Sequence, residues 1–299
     1  MAAAHFASLH VPGNPLVIPN IWDLSSLNTI LSLNSPSSPS SPTNPTPSIK
    51  VKAVATASYA IAATLGLSDA QLSLGANLIR ISQLAPRVRA SGLPLTVDIQ
   101  DGYRARLEEV VRAVVGAGAV GANIEDLRES VHGEEDGLWS LEEQNGCPGF
   151  VVNARCDVLS LAFKKSGGSG QSSTAGKGKG SSDGHGDSDV GVGVREQEEE
   201  GLMREVIRRG KAYLAAGATT VFVWGGPGRG LRDAEIRTLV AAFGGRLAVK
   251  LGSGEDALSV RELADMGVAR ISVGPSLYIA GNKTIQDEAE RIIEGGRLS

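Results

Sequence analysis

The 299-residue chain is short of several things, and each shortage removes a class of protein. Only two cysteines occur, Cys147 and Cys156. They are too few for a disulfide framework and lack the CxxC spacing of a metal or redox pair, so a reducing compartment is expected. Aromatic residues make up 4% of the chain, and its 29 Lys and Arg are outnumbered by 33 Asp and Glu, for a formal net charge of −4. Nucleic acids and anionic membranes favour a basic face, so neither is an expected partner. No run of about 18 apolar residues is present to span a bilayer. The opening MAAAHFASLH has neither the basic start of a signal peptide nor the arginines of a transit peptide, and the closing RLS is not an SKL address. A cytoplasmic location is expected.

Hydrophobic residues, at 41%, are enough for a substantial core, but two stretches do not contribute to it. Residues 34–48, NSPSSPSSPTNPTPS, place a proline every two or three positions and so remove the backbone donors that a helix or sheet needs. Residues 166–194 are Gly/Ser-rich and cannot offset their ordering entropy by burial. Both read as disordered surface insertions in a single domain spanning 1–299. Without them roughly 250 residues remain, the usual size of one (β/α)8 barrel.

That remainder alternates between two textures. Short apolar, β-branched runs occur at 16–19, 51–56, 95–99, 120–124, 150–153, 220–224, 247–251 and 269–273, giving eight candidate strands. Between most of them lie stretches of helical period, such as Leu107, Val110, Val111, Val114 and Val115. Near-continuous apolar strands joined by helices imply a parallel sheet covered on both faces. Eight such units favour closure into a TIM barrel, whose chemistry sits at the carboxyl ends of the strands.

At those ends the third run supplies Asp98 and Gln100, the fourth Glu125 and Asp126, and the fifth Asn153, Arg155 and Asp157. Hard oxygen donors of this kind suit Mg2+, which takes one or two carboxylates and keeps several waters. Acidic residues after strands also cap helices and start turns, but three adjacent strands ending this way weigh against that reading for the whole set.

The strings ATASYAIAATLG, VDIQDGYRA, GAVGANIED, NARCD, RGKAYLAAGATTVFVWG and GVARISVGPSL, in this order and spacing, resemble the isocitrate lyase/phosphoenolpyruvate mutase superfamily. The opening FASLHVPGNPLVIPNIWD is similar to its N-terminal segment, so the resemblance covers nearly all of the chain outside the insertions. It implies a (β/α)8 barrel that exchanges its last helix with a neighbouring subunit, in a homodimer or homotetramer. It also implies Mg2+, with Mn2+ as a substitute, and a small 2-oxo acid or phosphonate substrate cleaved or rearranged through an enolate. By the same resemblance Asp98 is the metal ligand, and Glu125 holds metal-bound water. Arg155 binds a carboxylate or phosphoryl group, and Ala57, Ser58 and Tyr59 present donors to the substrate, with Asn153 and Trp224 along the pocket.

The sequence departs from the superfamily in places. The loop after the fourth strand, DLRESVHG, lacks the cysteine of the lyase branch, so isocitrate cleavage is not expected and the phosphoenolpyruvate mutase-like branch is. Gln100 stands in the metal site where another carboxylate is common, its neutral amide left to hydrogen-bond a metal-bound water, Ala57 stands where serine is common, and Tyr59 is bulky. These departures leave room for a member that binds a 2-oxo acid without turnover. A third reading is a phosphate-binding barrel isomerase using the turns Gly225–Gly230 and Ser272–Ser276, although a plain loop and a structural junction are the simpler accounts of these. Asp23 reads as a helix cap, His132 as a solvated loop histidine, and both cysteines as ordinary buried or half-buried thiols.

Overall fold

The computed structural model describes residues 2–34, 50–128, 137–138, 150–165, 189–227 and 229–298. His132, Cys147 and most of both expected insertions lie outside them. The strands are β1 (Leu16–Ile18), β2 (Asn20–Ile21), β3 (Val54–Thr56), β4 (Leu95–Asp98), β5 (Gly121–Glu125), β6 (Leu127–Arg128), β7 (Gly137–Leu138), β8 (Val151–Cys156), β9 (Thr220–Val223), β10 (Leu247–Lys250) and β11 (Arg270–Ser272). The helices are α1 (Ala2–Ser8), α2 (Leu24–Ser32), α3 (Ser58–Thr64), α4 (Leu74–Ala90), α5 (Leu107–Ala117), α6 (Val158–Lys165), α7 (Asp189–Ala215), α8 (Asp233–Ala242), α9 (Val260–Asp265) and α10 (Ser276–Ile293).

Each of the eight apolar runs contains a strand of one parallel sheet, ordered β1-β11-β10-β9-β8-β5-β4-β3-β2. The sheet closes through the first run, which Pro19 divides. Having no N–H, the proline breaks that run into two pieces that choose different neighbours. β1 pairs with β11 and β2 with β3, while the Pro19 carbonyl accepts from Ala55 at 3.1 Å. The result is the α/β TIM barrel expected from the sequence. A separate antiparallel pair, β6 with β7, follows β5.

Apolar side chains fill the layer between strands and helices, from Val97 and Val221 to Leu84, Val110 and Leu239. The barrel's amino-terminal end is stoppered by a second cluster, in which Phe6 of α1 meets Leu16, Ile18, Ala53, Ala55 and Val151. Gly121 makes room for it, since a Cβ there would lie 2.5 Å from the Val151 carbonyl oxygen and 3.0 Å from the Phe6 ring.

Two boundaries differ from expectation. Asn34 belongs to the fold, because its amide accepts from the Val51 N–H at 2.7 Å and donates to the Val51 carbonyl at 3.0 Å, joining the end of α2 to the next run. Residues 189–194 form the first turns of α7. Asp23 caps α2 as expected, accepting from the Ser26 N–H at 2.7 Å. Cys156 is a buried free thiol. Among the described residues no helix is long and apolar enough to cross a membrane.

His10 follows the stopper helix, with Nδ1 donating to the Phe6 carbonyl at 2.9 Å and Nε2 buried without a partner. Burial, then the nearby Arg270 charge, lowers its pKa from 6.5 to about 4. The unfolded chain therefore takes up a proton that the native state refuses. Stability from this site is complete above about pH 6.5, falls as pH drops, and levels off below about 4. Denaturant titrations at pH 7.5 and 4.5 should show wild type losing up to about 3 kcal/mol more than His10→Gln. Equal losses in the two proteins would refute this role.

Candidate active site

The strands' carboxyl ends open into a cavity of about 410 Å3 lined by Ala57, Ser58, Tyr59, Asp69, Asp98, Glu125, Arg155, Trp224, Lys250 and Arg270 among others. Strand alternation and register build its acidic wall. Asp98 is in register with Asn123, and Glu125 with Arg155, so these side chains enter the barrel side by side. Asp98 is held firmly: its N–H donates to Thr56 Oγ1 at 2.8 Å, and its carbonyl accepts from Asn77 at 3.0 Å. One carboxylate oxygen accepts from the Ser58 N–H at 3.2 Å and the Ser58 hydroxyl at 3.0 Å, the other from the Gln100 N–H at 3.2 Å. Ser58 thus directs both donors at Asp98 itself.

Arg155 lies between two carboxylates, with Nη1 2.6 Å from Glu125 Oε2 and Nη2 2.7 Å from Asp157 Oδ1. Its guanidinium carbon sits 4.6 Å from the centre of the Trp224 ring, a cation–π contact that walls the cavity. Burial opposes the Arg155 charge, but Asp157 and Glu125 outweigh it and hold the guanidinium protonated. For Glu125 the balance runs the other way. Burial pushes its carboxyl well above the usual range, Arg155 opposes this, and Asp157, Asp98 and Asp69 add to it.

A divalent cation fits this donor set. Asp69, Asp98 and Glu125 bring only hard oxygens to one cavity, and neighbouring half-buried carboxylates are what a bound cation relieves. Among the described residues no three His, Cys, Asp or Glu are grouped to form a metal cage. Mg2+ needs only one or two carboxylates and completes its shell with water and ligand oxygens.

Several expected site residues take other places. Asn153 is fully buried one layer below the cavity, donating to Asn123 at 2.8 Å and accepting from Thr220 at 2.7 Å. Gln100, at a left-handed φ of 51°, turns its amide away from the Asp98 carboxylate and donates to the Asp69 carbonyl at 2.8 Å and carboxylate at 3.1 Å. It positions a carboxylate instead of facing the cavity. Ala57 is buried in the lining, and Tyr59 is exposed at the mouth. Three charged lining residues were missed from sequence: Asp69, Lys250 and Arg270. Asp69 follows Ser68 in a short turn whose residues read as helix-capping, and the two cations sit within apolar strands.

The turn after β9 closes on itself, since a Cβ at Gly225 would lie 1.7 Å from the Gly230 carbonyl oxygen, and Arg229 pairs with Glu235 at 2.5 Å. After β11, the Gly274 N–H donates to Asn20 at 2.8 Å and ties that junction to β2. Neither arrangement supports the phosphate-binding isomerase.

Asp126 points out of the barrel, where alternation sends the neighbour of Glu125. Fully buried, it accepts from Tyr213 at 2.7 Å, from Arg209 at 3.2 Å and from the Asp157 N–H at 2.7 Å, fastening α7 beneath the strand ends that carry Arg155.

Fold and cavity together define a barrel enzyme of the superfamily of lyases and mutases that contains isocitrate lyase and phosphoenolpyruvate mutase. The chain belongs to the phosphoenolpyruvate phosphomutase family, whose model matches residues 6–293. An uncharacterized protein of Mycobacterium tuberculosis is 25% identical over 98% of this chain and 90% of its own. An oxaloacetate decarboxylase of Bradyrhizobium diazoefficiens is 27% identical over 73% of this chain and 67% of its own. A candidate phosphonomutase from Burkholderia cenocepacia superposes with a TM-score of 0.68 at 29% identity, covering 97% of this chain and 99% of that one. A phosphonopyruvate hydrolase bound to oxalate and Mg2+ shares the fold, with a TM-score of 0.68 at 18% identity over 99% of this chain and 88% of that one.

Removing the Asp126 carboxylate would leave Tyr213 and the Asp157 N–H without this acceptor and would take from the buried Arg209 one of its carboxylate partners, Glu205 remaining. Asp126→Ala should therefore destabilise the protein by about 3–5 kcal/mol, and Tyr213→Phe by about 1 kcal/mol, both read by denaturant unfolding. A change under about 1 kcal/mol in Asp126→Ala would contradict this structural role.

Proposed function

We propose that the protein is a Mg2+-dependent enzyme that cleaves or rearranges a carbon–carbon or phosphorus–carbon bond of a small 2-oxo acid through an enolate. Oxaloacetate decarboxylation, phosphonopyruvate hydrolysis and phosphoenolpyruvate mutation are the reaction types. The observation that carries this reading is that Asp69, Asp98, Glu125 and Arg155 line one closed-ended cavity.

Asp98 and Glu125 would hold the ion, with Gln100 fixing Asp69 beside them. When bound, Mg2+ or Mn2+ supplies stabilisation of negative charge on a 2-oxo oxygen as a bond to C3 breaks. The chain's own part is to orient. Ser58 fixes the rotamer of Asp98, and Arg155 keeps Glu125 in place across a 2.6 Å contact beside the Trp224 ring. No side chain is needed as a nucleophile, and the buried Cys156, whose thiol burial pushes well above its usual range, is not poised to be one.

Pyruvate release from a panel of 2-oxo acids with Mg2+ tests the proposal. Wild type should turn over at least one of them, and Asp98→Ala should lose roughly 100-fold or more. Activity indistinguishable between the two proteins would sink it. The neutral Gln100 in place of a carboxylate motivates the second reading, a binder without turnover. Tight oxalate binding in Mg2+ with no product from any substrate would select that one.

The homodimer or homotetramer, with the last helix exchanged, is also part of this proposal. α10 buries none of its residues, leaving Ile279 at 52% and Ile285 at 68% exposed. A helix with such an apolar face needs a surface to cover it. Analytical ultracentrifugation should find an oligomer that Ile285→Asp weakens. A wild-type monomer at micromolar concentration would exclude it.

A further inference from the structure

The cavity is polarised across the barrel. Its carboxylates stand on the side of β4 and β5, while β10 and β11, on the opposite side, contribute Lys250 and Arg270. Arg270 is 1% exposed, and its Nε and Nη1 have no hydrogen-bond partner. Burial lowers its pKa to about 9, with only Asp98 opposing. Lys250 lies on the neighbouring strand one layer nearer the mouth, since Ala248 is in register with Arg270 and Lys250 with Ser272. Its ammonium makes no hydrogen bond or ion pair with a described residue, and burial alone lowers its pKa. Its stem runs past Gly274, where a Cβ would come within 3.4 Å. Across the floor, the buried hydroxyl of Thr96 is also without a partner.

These groups contrast with Arg155, the expected anion receptor, whose charge is already met by Glu125 and Asp157. An unpaired guanidinium in a barrel core is costly, and unmatched donors facing a cavity mark where a ligand's acceptors belong. We propose that Lys250 and Arg270 form an anion subsite that receives the second acidic group, a carboxylate or phosphonate, of a dianionic 2-oxo acid. This rests on the 2-oxo acid reading above. The substrate then lies across the cavity, with its 2-oxo acid head on the Asp98 and Glu125 side and its far oxyanion on the β10–β11 side. A monoanion such as pyruvate leaves the cationic wall unmatched, which favours its departure as product.

Three ligands separate the two ends of the site, read by stopped-flow tryptophan fluorescence in Mg2+ before any turnover. Oxalate probes the head alone, 3,3-difluorooxaloacetate adds a carboxylate, and phosphonopyruvate adds a phosphonate. Lys250→Met should bind oxalate as wild type does, and lose about ten-fold or more for whichever longer ligand the subsite takes. Arg270→Met should show the same selective loss and Arg270→Lys should recover part of it, with thermal melts confirming that each variant folds. Independently of metal, crystals soaked in bromide should show an anomalous peak against Arg270 and Lys250. Bromide bound there without any Mg2+–oxalate binding would uphold the subsite while refuting the 2-oxo acid reading. No bromide, together with equal effects of both substitutions on all three ligands, would overturn the subsite itself.

Discussion

The Arg155 guanidinium, clamped between Glu125 and Asp157, is the interaction on which the rest of the site depends. It joins two neighbouring strands at their carboxyl ends and puts one of the cavity's carboxylates under a fixed positive charge. It also links the site to the outer layer. The Asp157 N–H that follows it donates to Asp126, and Asp126 receives Arg209 and Tyr213 from α7. Buried charges are stable only when every partner is present, so this chain of contacts makes the position of the acidic wall a property of strands and helix together.

A second constraint is the closed and unusually polar interior. Phe6 and small residues such as Gly121, Ala53 and Ala55 seal the amino-terminal end with apolar contacts. Above that seal Asn123, Asn153 and Thr220 bond to one another, and above them the charged residues face the cavity. Low-dielectric walls with one open end strengthen every charge within. Carboxylates on one side and unpaired cations on the other give the cavity a direction, which suits a ligand with two different ends.

Much of the fold was legible in the sequence because parallel strands buried on both faces must be continuous apolar runs. All eight runs contain strands, and Asp23 caps the helix where it was expected to. The acidic wall was legible for a related reason: Asp98, Glu125 and Arg155 interrupt apolar runs at the ends where barrel sites lie. What misled was adjacency. Gln100 and Asn153 stand beside these residues in sequence, but a left-handed turn rotates one toward Asp69 and strand depth drops the other into the layer below. Asp126 differs from Glu125 by one position, and the pleat sends it to the opposite face.

The sequence alone determined the barrel, its polarity and the chemical character of one rim, because periodicity and residue type act locally. Tertiary structure decided which charges are committed and which are free. Asp69 joins the acidic wall only because the turn after α3 folds over the barrel mouth. Lys250 and Arg270 look like interruptions of two apolar strands until closure through Pro19 brings β10 and β11 to face β4 and β5. Pairing of buried charge is a property of three-dimensional neighbours, and closure of the sheet is what chooses them.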